Sequence, residues 1–193
     1  MSVGDTGNVL LPVSRRKPPR YELPHAAPGS LRLVQQFLNT SDHEYANEWL
    51  ATPEQLAAWL DERGFAAVKP TRADAARARR VREALRQLVI GGESPEAVAL
   101  VEREAARTPL RVSLADGLVP TRGGLDGFLV RVFATVHEAR LDGSWQRLKA
   151  CPNCHWAFWD ESKNRSATWC SMELCGNRLK TKRYRTRRAQ ASL

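Results

Sequence analysis

The chain has 193 residues, enough for one domain of ordinary size and a small second one. It carries 30 Lys+Arg against 21 Asp+Glu, a formal net charge of +9, and no apolar run approaches the roughly 18 residues of a membrane span. The charge is uneven: residues 21–150 are balanced, whereas residues 151–193 hold nine basic groups and three acidic ones. A neutral body with a basic end points to an anionic polymer as partner, the alternative being a solvated tail kept for solubility.

Residues 1–28 read as a flexible leader. Their apolar core, "VLLPV", is short and broken by proline, and the basic residues follow it where a secretory signal would have them precede it. A cytoplasmic protein is the expectation, and in that reducing setting clustered cysteines favour metal over disulfide.

The first helix is expected from Ser30, as cap, through Leu31, Val34, Phe37 and Leu38. Asn39, Thr40 and Asp42 follow, either as a helix-terminating turn or as the lining of a ligand pocket. "TPEQLAAWLDERG" predicts a second helix, with Thr52 at the N-cap, Pro53 in the first turn, Gln55 completing a capping box and Gly64 ending it. Leu56, Trp59 and Leu60 make its apolar face.

In the third helix Ala78, Val81, Leu85 and Leu88 recur at helical spacing, and Arg79, Arg82 and Arg86 line what reads as a solvated face. Ser94-Pro95 starts a fourth helix. Leu110, Val112 and Leu114 then alternate with polar residues ahead of Asp116-Gly117, the pattern of a small hairpin. A last long helix carries Leu125, Phe128, Leu129, Val132, Phe133 and Val136 on one stripe. Residues 29–148 thus form a helical domain large enough to bury its own core.

All four cysteines fall inside residues 149–193, as C-x2-C, 15 intervening residues and C-x4-C: Cys151, Cys154, Cys170 and Cys175. Two sulfurs from each pair can complete a tetrahedron, and four thiolates suit a closed structural Zn2+ site with no open position for substrate. So short and charged a segment cannot bury enough apolar surface to fold unaided. Zinc contributes about 10–16 kcal/mol to folding finger peptides near neutral pH. His155, beside Cys154, is badly placed to share the same ion. "WAFW" and "ATW" read as two strands of a hairpin whose aromatics shield the sulfurs. Ser171 can cap a basic helix on which Arg178, Lys182 and Arg185 share one face, with Lys180, Arg183 and Arg187 roughly opposite. Gly176 costs helix propensity, and close approach of the backbone to a metal-bound sulfur is one physical reason for it.

"CPNC", "FWDESKN" and "WCSMELCGNR", with the basic run behind them, resemble the CGNR zinc finger. "FLNT" and "WLATPEQLAAWLDERG" resemble the ABATE domain that precedes such fingers in bacterial regulators. The resemblance implies a stress-responsive transcription regulator whose finger binds DNA and whose helical domain senses a signal or mediates association.

The expected fold is therefore mainly α: a helical N-terminal domain with a small hairpin, then a small α+β finger of knuckle, hairpin and basic helix. Asn177, Arg178, Lys180, Lys182, Arg183, Arg185, Arg187 and Arg188 are the candidate contacts to double-stranded DNA. Phosphate contacts supply affinity, and Arg178 or Asn177 can read a base edge, although Asn177 can equally brace the zinc loop. RNA binding, ribosome association or a zinc-built protein-docking surface are the alternatives. A homodimer would suit so short a finger, and a small-molecule effector at the helical domain would suit a regulator. No phosphate-binding loop, HExxH or G-x-S-x-G is present, and His25, His43, His137 and His155 are scattered, so an enzyme is not expected.

Overall fold

The computed structural model describes residues 25–65, 69–91, 94–177 and 179–181. It is mainly α-helical, with three two-stranded antiparallel ribbons. In chain order the elements are α1 (Leu31–Leu38), β1 (Ser41–Asp42), β2 (Asn47–Glu48), α2 (Pro53–Asp61), α3 (Arg72–Ile90) and α4 (Pro95–Ala106). There follow β3 (Leu110–Ser113), β4 (Gly117–Pro120), α5 (Gly124–Leu141), a 3-10 turn (Ser144–Arg147), β5 (Leu148–Ala150), β6 (Ala157–Trp159) and a π turn (Met172–Gly176). No helix among the described residues is long and apolar enough to cross a membrane.

Local sequence chemistry sets most of the boundaries. At α2 the Thr52 side chain accepts from the Gln55 amide (3.3 Å) while Gln55 Oε1 accepts from the Thr52 amide (3.1 Å), closing the expected capping box. A second box, not anticipated, joins Thr71 to Asp74 at the start of α3. Ser94 caps α4 through the Ala97 amide. Ser30 precedes α1 but makes no side-chain cap bond, because it already has helical backbone angles (φ −66°, ψ −25°) and its hydroxyl does not face the first amides. Past α2, Gly64 takes φ +79°, and the Phe65 amide returns to the Leu60 carbonyl.

The core centres on Phe128 of α5. Its ring meets Phe37 at 4.9 Å, Trp59 at 5.0 Å and Phe65 at 5.5 Å, each edge to face. Val34, Leu38, Leu56, Leu60, Val81, Leu85, Leu129 and Val132 fill the space around them. Of the predicted α5 stripe only Phe133 is half-buried, while Val130, Ala134 and Thr135 are also covered, so burial reaches well beyond that stripe, and Arg131, His137, Glu138, Arg140 and Leu141 stay exposed. Leu148 of β5 and Ala157 of β6 belong to this same core. The cysteine-bearing segment is therefore packed into the helical body, with no free joint between them.

Two expectations change. Arg82 and Arg86 are not on a solvated face: they are 2% and 1% exposed. The reason lies in their register. Arg82 is four residues after Ala78 and three before Leu85, inside the apolar stripe, and the helix turns both guanidinium groups toward carbonyl and carboxylate oxygens that need donors. The finger's hairpin also uses different strands. β6 pairs with β5, in the register Leu148↔Trp159, Lys149↔Phe158 and Ala150↔Ala157, while Ala167–Trp169 forms no strand. The six-residue return through the first cysteine pair, closed by the Cys151–Trp156 backbone bond, is a tighter link than the "DESKNRS" loop.

Candidate metal centre and its attachment

The first cysteine pair is held by a tight knuckle. The Cys151 amide donates to the Trp156 carbonyl (2.9 Å) and the His155 amide to the Cys151 carbonyl (2.8 Å). His155 adopts φ +60° to reverse the chain, and its ring lies tilted against that of His43, 4.9 Å between centroids, so it stands outside the sulfur cluster. The second pair flanks the π turn. Ser171 caps that turn through the Leu174 amide, and its carbonyl accepts from both Cys175 (3.0 Å) and Gly176 (3.1 Å). A turn closed by a bond to the fifth residue is wider than an α turn. It brings Cys175 back over Cys170 and accounts for the gap of four. Gly176 lies close to side chains and not to a cysteine sulfur: a Cβ there would meet the Met172 thioether at 2.7 Å, pushing that flexible side chain aside, and the Trp169 ring at 3.2 Å.

The four Sγ atoms lie within 4.8 Å of one another, and all four cysteines are buried. Cys154 and Cys170 are 3.5 Å apart, and Cys170 and Cys175 are 3.7 Å apart. A tetrahedron with Zn–S bonds of ~2.3 Å has edges of ~3.8 Å, so the cluster already has the dimensions of a four-thiolate shell. Asn153 donates to Cys175 Sγ (3.5 Å), bracing one pair against the other. The donors Cys154 and Cys170 favour the Cys151 thiolate and lower its pKa, whereas their own thiols are pushed up, first by hydrogen bonding to Cys151 and then by crowding and burial. Four negative sulfurs cannot coexist here without a cation at their centre. The cysteines are thus positioned to bind a metal ion, and an all-sulfur donor set suits zinc.

Phe158 closes one side of the cluster, with Trp156, Ala167, Trp169 and Leu174 packed around it. Behind it Asp160 organises the loop that follows. Its buried carboxylate accepts from Lys149 Nζ (2.6 Å), the Ser162 amide (2.9 Å) and hydroxyl (2.6 Å), and the Ala167 amide (3.1 Å). Burial alone would raise its pKa, but the Lys149 ammonium and the Ser162 donors outweigh that and hold it at about 2.

The outer edge of β6 is fastened to α1. Asn39 acts as a surrogate strand: its Oδ1 accepts from the Ala157 amide (2.7 Å) and its Nδ2 donates to the Ala157 carbonyl (2.9 Å). Gln35 Nε2 also donates to that carbonyl (3.2 Å) and to His25 O (2.8 Å), and the Trp159 amide donates to His25 O (3.0 Å). From α3, Arg86 donates to the His155 carbonyl (2.6 Å) and to the Leu38 carbonyl, and pairs with Glu83 (3.0 Å). Arg82 forks onto Glu48 (2.6 and 2.7 Å) and also donates to Thr40 Oγ1 (3.0 Å). Burial lowers the Arg86 pKa, whereas Glu48 more than offsets burial at Arg82. Sequence reasoning missed this clasp, although the register of Arg82 against Ala78 and Leu85 held the signal.

Among the predicted pocket residues, Asn39 thus binds β6, Thr40 bonds to Phe37 O and Arg82, and Asp42 accepts from the Glu44 and Tyr45 amides in the β1–β2 turn. A separate cavity of about 470 Å³ lies between the C-terminal ends of α3 and α5, against Leu88, Val89, Trp145 and Leu148. Of the predicted nucleic-acid contacts, Asn177 and Lys180 are exposed on a helical run that continues the π turn. Arg178, Lys182, Arg183, Arg185, Arg187 and Arg188 lie outside the described residues.

A helical body clasping a buried four-cysteine centre defines a metal-binding protein of the zinc-finger class. Residues 31–141 match the ABATE family model, described as "Putative stress-induced transcription regulator", and residues 147–188 match the CGNR zinc finger. The first match spans more than half of the chain, and the chain belongs to that family. Both are regulator or zinc-finger families and not enzyme families. No curated protein matches the chain.

Proposed function

We propose that this chain is a zinc-dependent DNA-binding transcription regulator of the cytoplasm, with a finger over residues 149–193 that grips duplex DNA. The helical domain, residues 29–148, senses a signal or associates with partners. The observation that carries this reading is the position of the metal site: the helical run leaving Cys175 presents Asn177 and Lys180 to solvent. The sequence behind it adds Arg178, Lys182, Arg183, Arg185, Arg187 and Arg188. The metal fixes the start of a positively charged arm, and the clasp from α1 and α3 fixes that start to the body. Phosphate neutralisation supplies the affinity, and Asn177 and Arg178, next in sequence after Cys175 and Gly176, are the residues to read base edges.

The test is fluorescence anisotropy of zinc-loaded protein on labelled duplex DNA across a salt series. If five phosphates are neutralised, log affinity falls with log salt at a slope of about −4.5. Cys170→Ser abolishes that binding. A slope near zero, or a clear preference for structured RNA of equal length, overturns the reading.

A further inference from the structure

The finger's ribbon and the β3–β4 ribbon treat their open edges differently. β6 has its outward backbone groups capped by Asn39, Gln35 and His25. β3 pairs with β4 on one side, in the register Leu110↔Pro120, Arg111↔Val119, Val112↔Leu118 and Ser113↔Gly117, and β4 in turn packs on α5. Pro120 has no N–H, so Leu110 and Pro120 form a non-hydrogen-bonded pair, and by alternation so do Val112 and Leu118. The N–H and C=O groups of Leu110 and Val112 therefore point away from β4, along the outer edge. The same residues expose their side chains: Leu110 is 46% exposed, Val112 72% and Leu114 105%.

Natural proteins guard such edges with lysine, proline, bulges or covering elements. Among the described residues this edge has no lysine, bulge or covering element: Pro109 stands just ahead of the strand, Pro120 sits on β4, and the strand's one charged residue is Arg111. Its sequence is also symmetric about Val112. In an antiparallel pairing with itself Leu110 faces the second copy's Leu114, Val112 faces Val112 and Arg111 faces Ser113. Apolar residues meet apolar ones and no like charges are opposed. A closed twofold contact requires a patch complementary to itself. We propose that β3 is a dimerisation strand, joining two copies of this chain edge to edge into a four-stranded sheet about a twofold axis at Val112.

The test is sedimentation velocity of the full zinc-loaded chain over a wide range of concentration. Native protein shows a monomer–dimer equilibrium. V112K, a change at an exposed position, raises the dimer dissociation constant at least about tenfold while circular dichroism and zinc content stay native. L110E and L114K each weaken the dimer similarly, and the L110E/L114K double variant recovers it. The introduced charges are too far apart within one copy to meet and face each other only across the axis. A native chain that stays monomeric, a V112K dimer of unchanged affinity, or a double variant without recovery overturns the proposal.

Discussion

Around Phe128, aromatic and aliphatic side chains from four helices exclude water unaided, and the helical body is held by burial. Around Cys151 the fully covered side chains are four cysteines and Phe158, with tryptophans packed only partly over them. Cohesion there comes from Asp160 and its donors and from what the body lends through Asn39 and Arg86, and a metal ion held by the four sulfurs would supply the rest. The comparison shows why the finger can present so much charge. A segment held at one point by a cation does not need to spend its surface on hydrocarbon.

The largest expected effect comes from stripping the metal. Zinc binding is worth about 10–16 kcal/mol in finger peptides, so chelation should erase amide-exchange protection across residues 151–177 while α2 and α4 stay protected. Uniform loss over the whole chain, or none, would contradict the division into two kinds of cohesion. Phe128→Ala attacks the other side. It should cost about 3–5 kcal/mol in urea unfolding, with zinc stoichiometry at the folded baseline unchanged.

Asn39→Ala probes the seam between them. It strips the Ala157 amide of its acceptor and should cost about 1–3 kcal/mol. A melt that loses cooperativity, splitting into two steps, would show that Asn39 couples the regions; an unaltered single transition would show that Arg86 and the shared core suffice. The smallest effect belongs to Asp160→Asn, at most about 2 kcal/mol near neutral pH for a group shifted from 3.8 to about 2. The sign follows from the depressed pKa. The carboxylate stabilises the fold fully above its unfolded value of 3.8, and that contribution fades as pH falls toward 2. The gap between variant and native protein should therefore close over that window, read by stability measurements at each pH.

The metal centre was legible because ligand chemistry is local: cysteine count and spacing suffice to name it. Helix caps at Thr52 and Ser94 were legible for the same reason. The strand partner of Ala157–Trp159 was not, since three-residue strands carry little periodicity, and "LKA" gains its strand character only by packing Leu148 into the body. The clasp was hidden because Arg82 and Arg86 look like surface residues until Glu48, Glu83 and the Leu38 and His155 carbonyls, contributed from distant segments, gather around them. The solvated-face expectation failed there on tertiary grounds, not on propensity.

Asn39 and Ala157 are 118 residues apart in the chain. Ribosomes add about 5–20 residues per second, so the first helix waits roughly 6–24 seconds of synthesis before its partner strand exists. The nascent chain completes its hydrophobic centre only when Leu148 and Ala157 emerge, so metal capture follows the synthesis of all five helices α1 to α5.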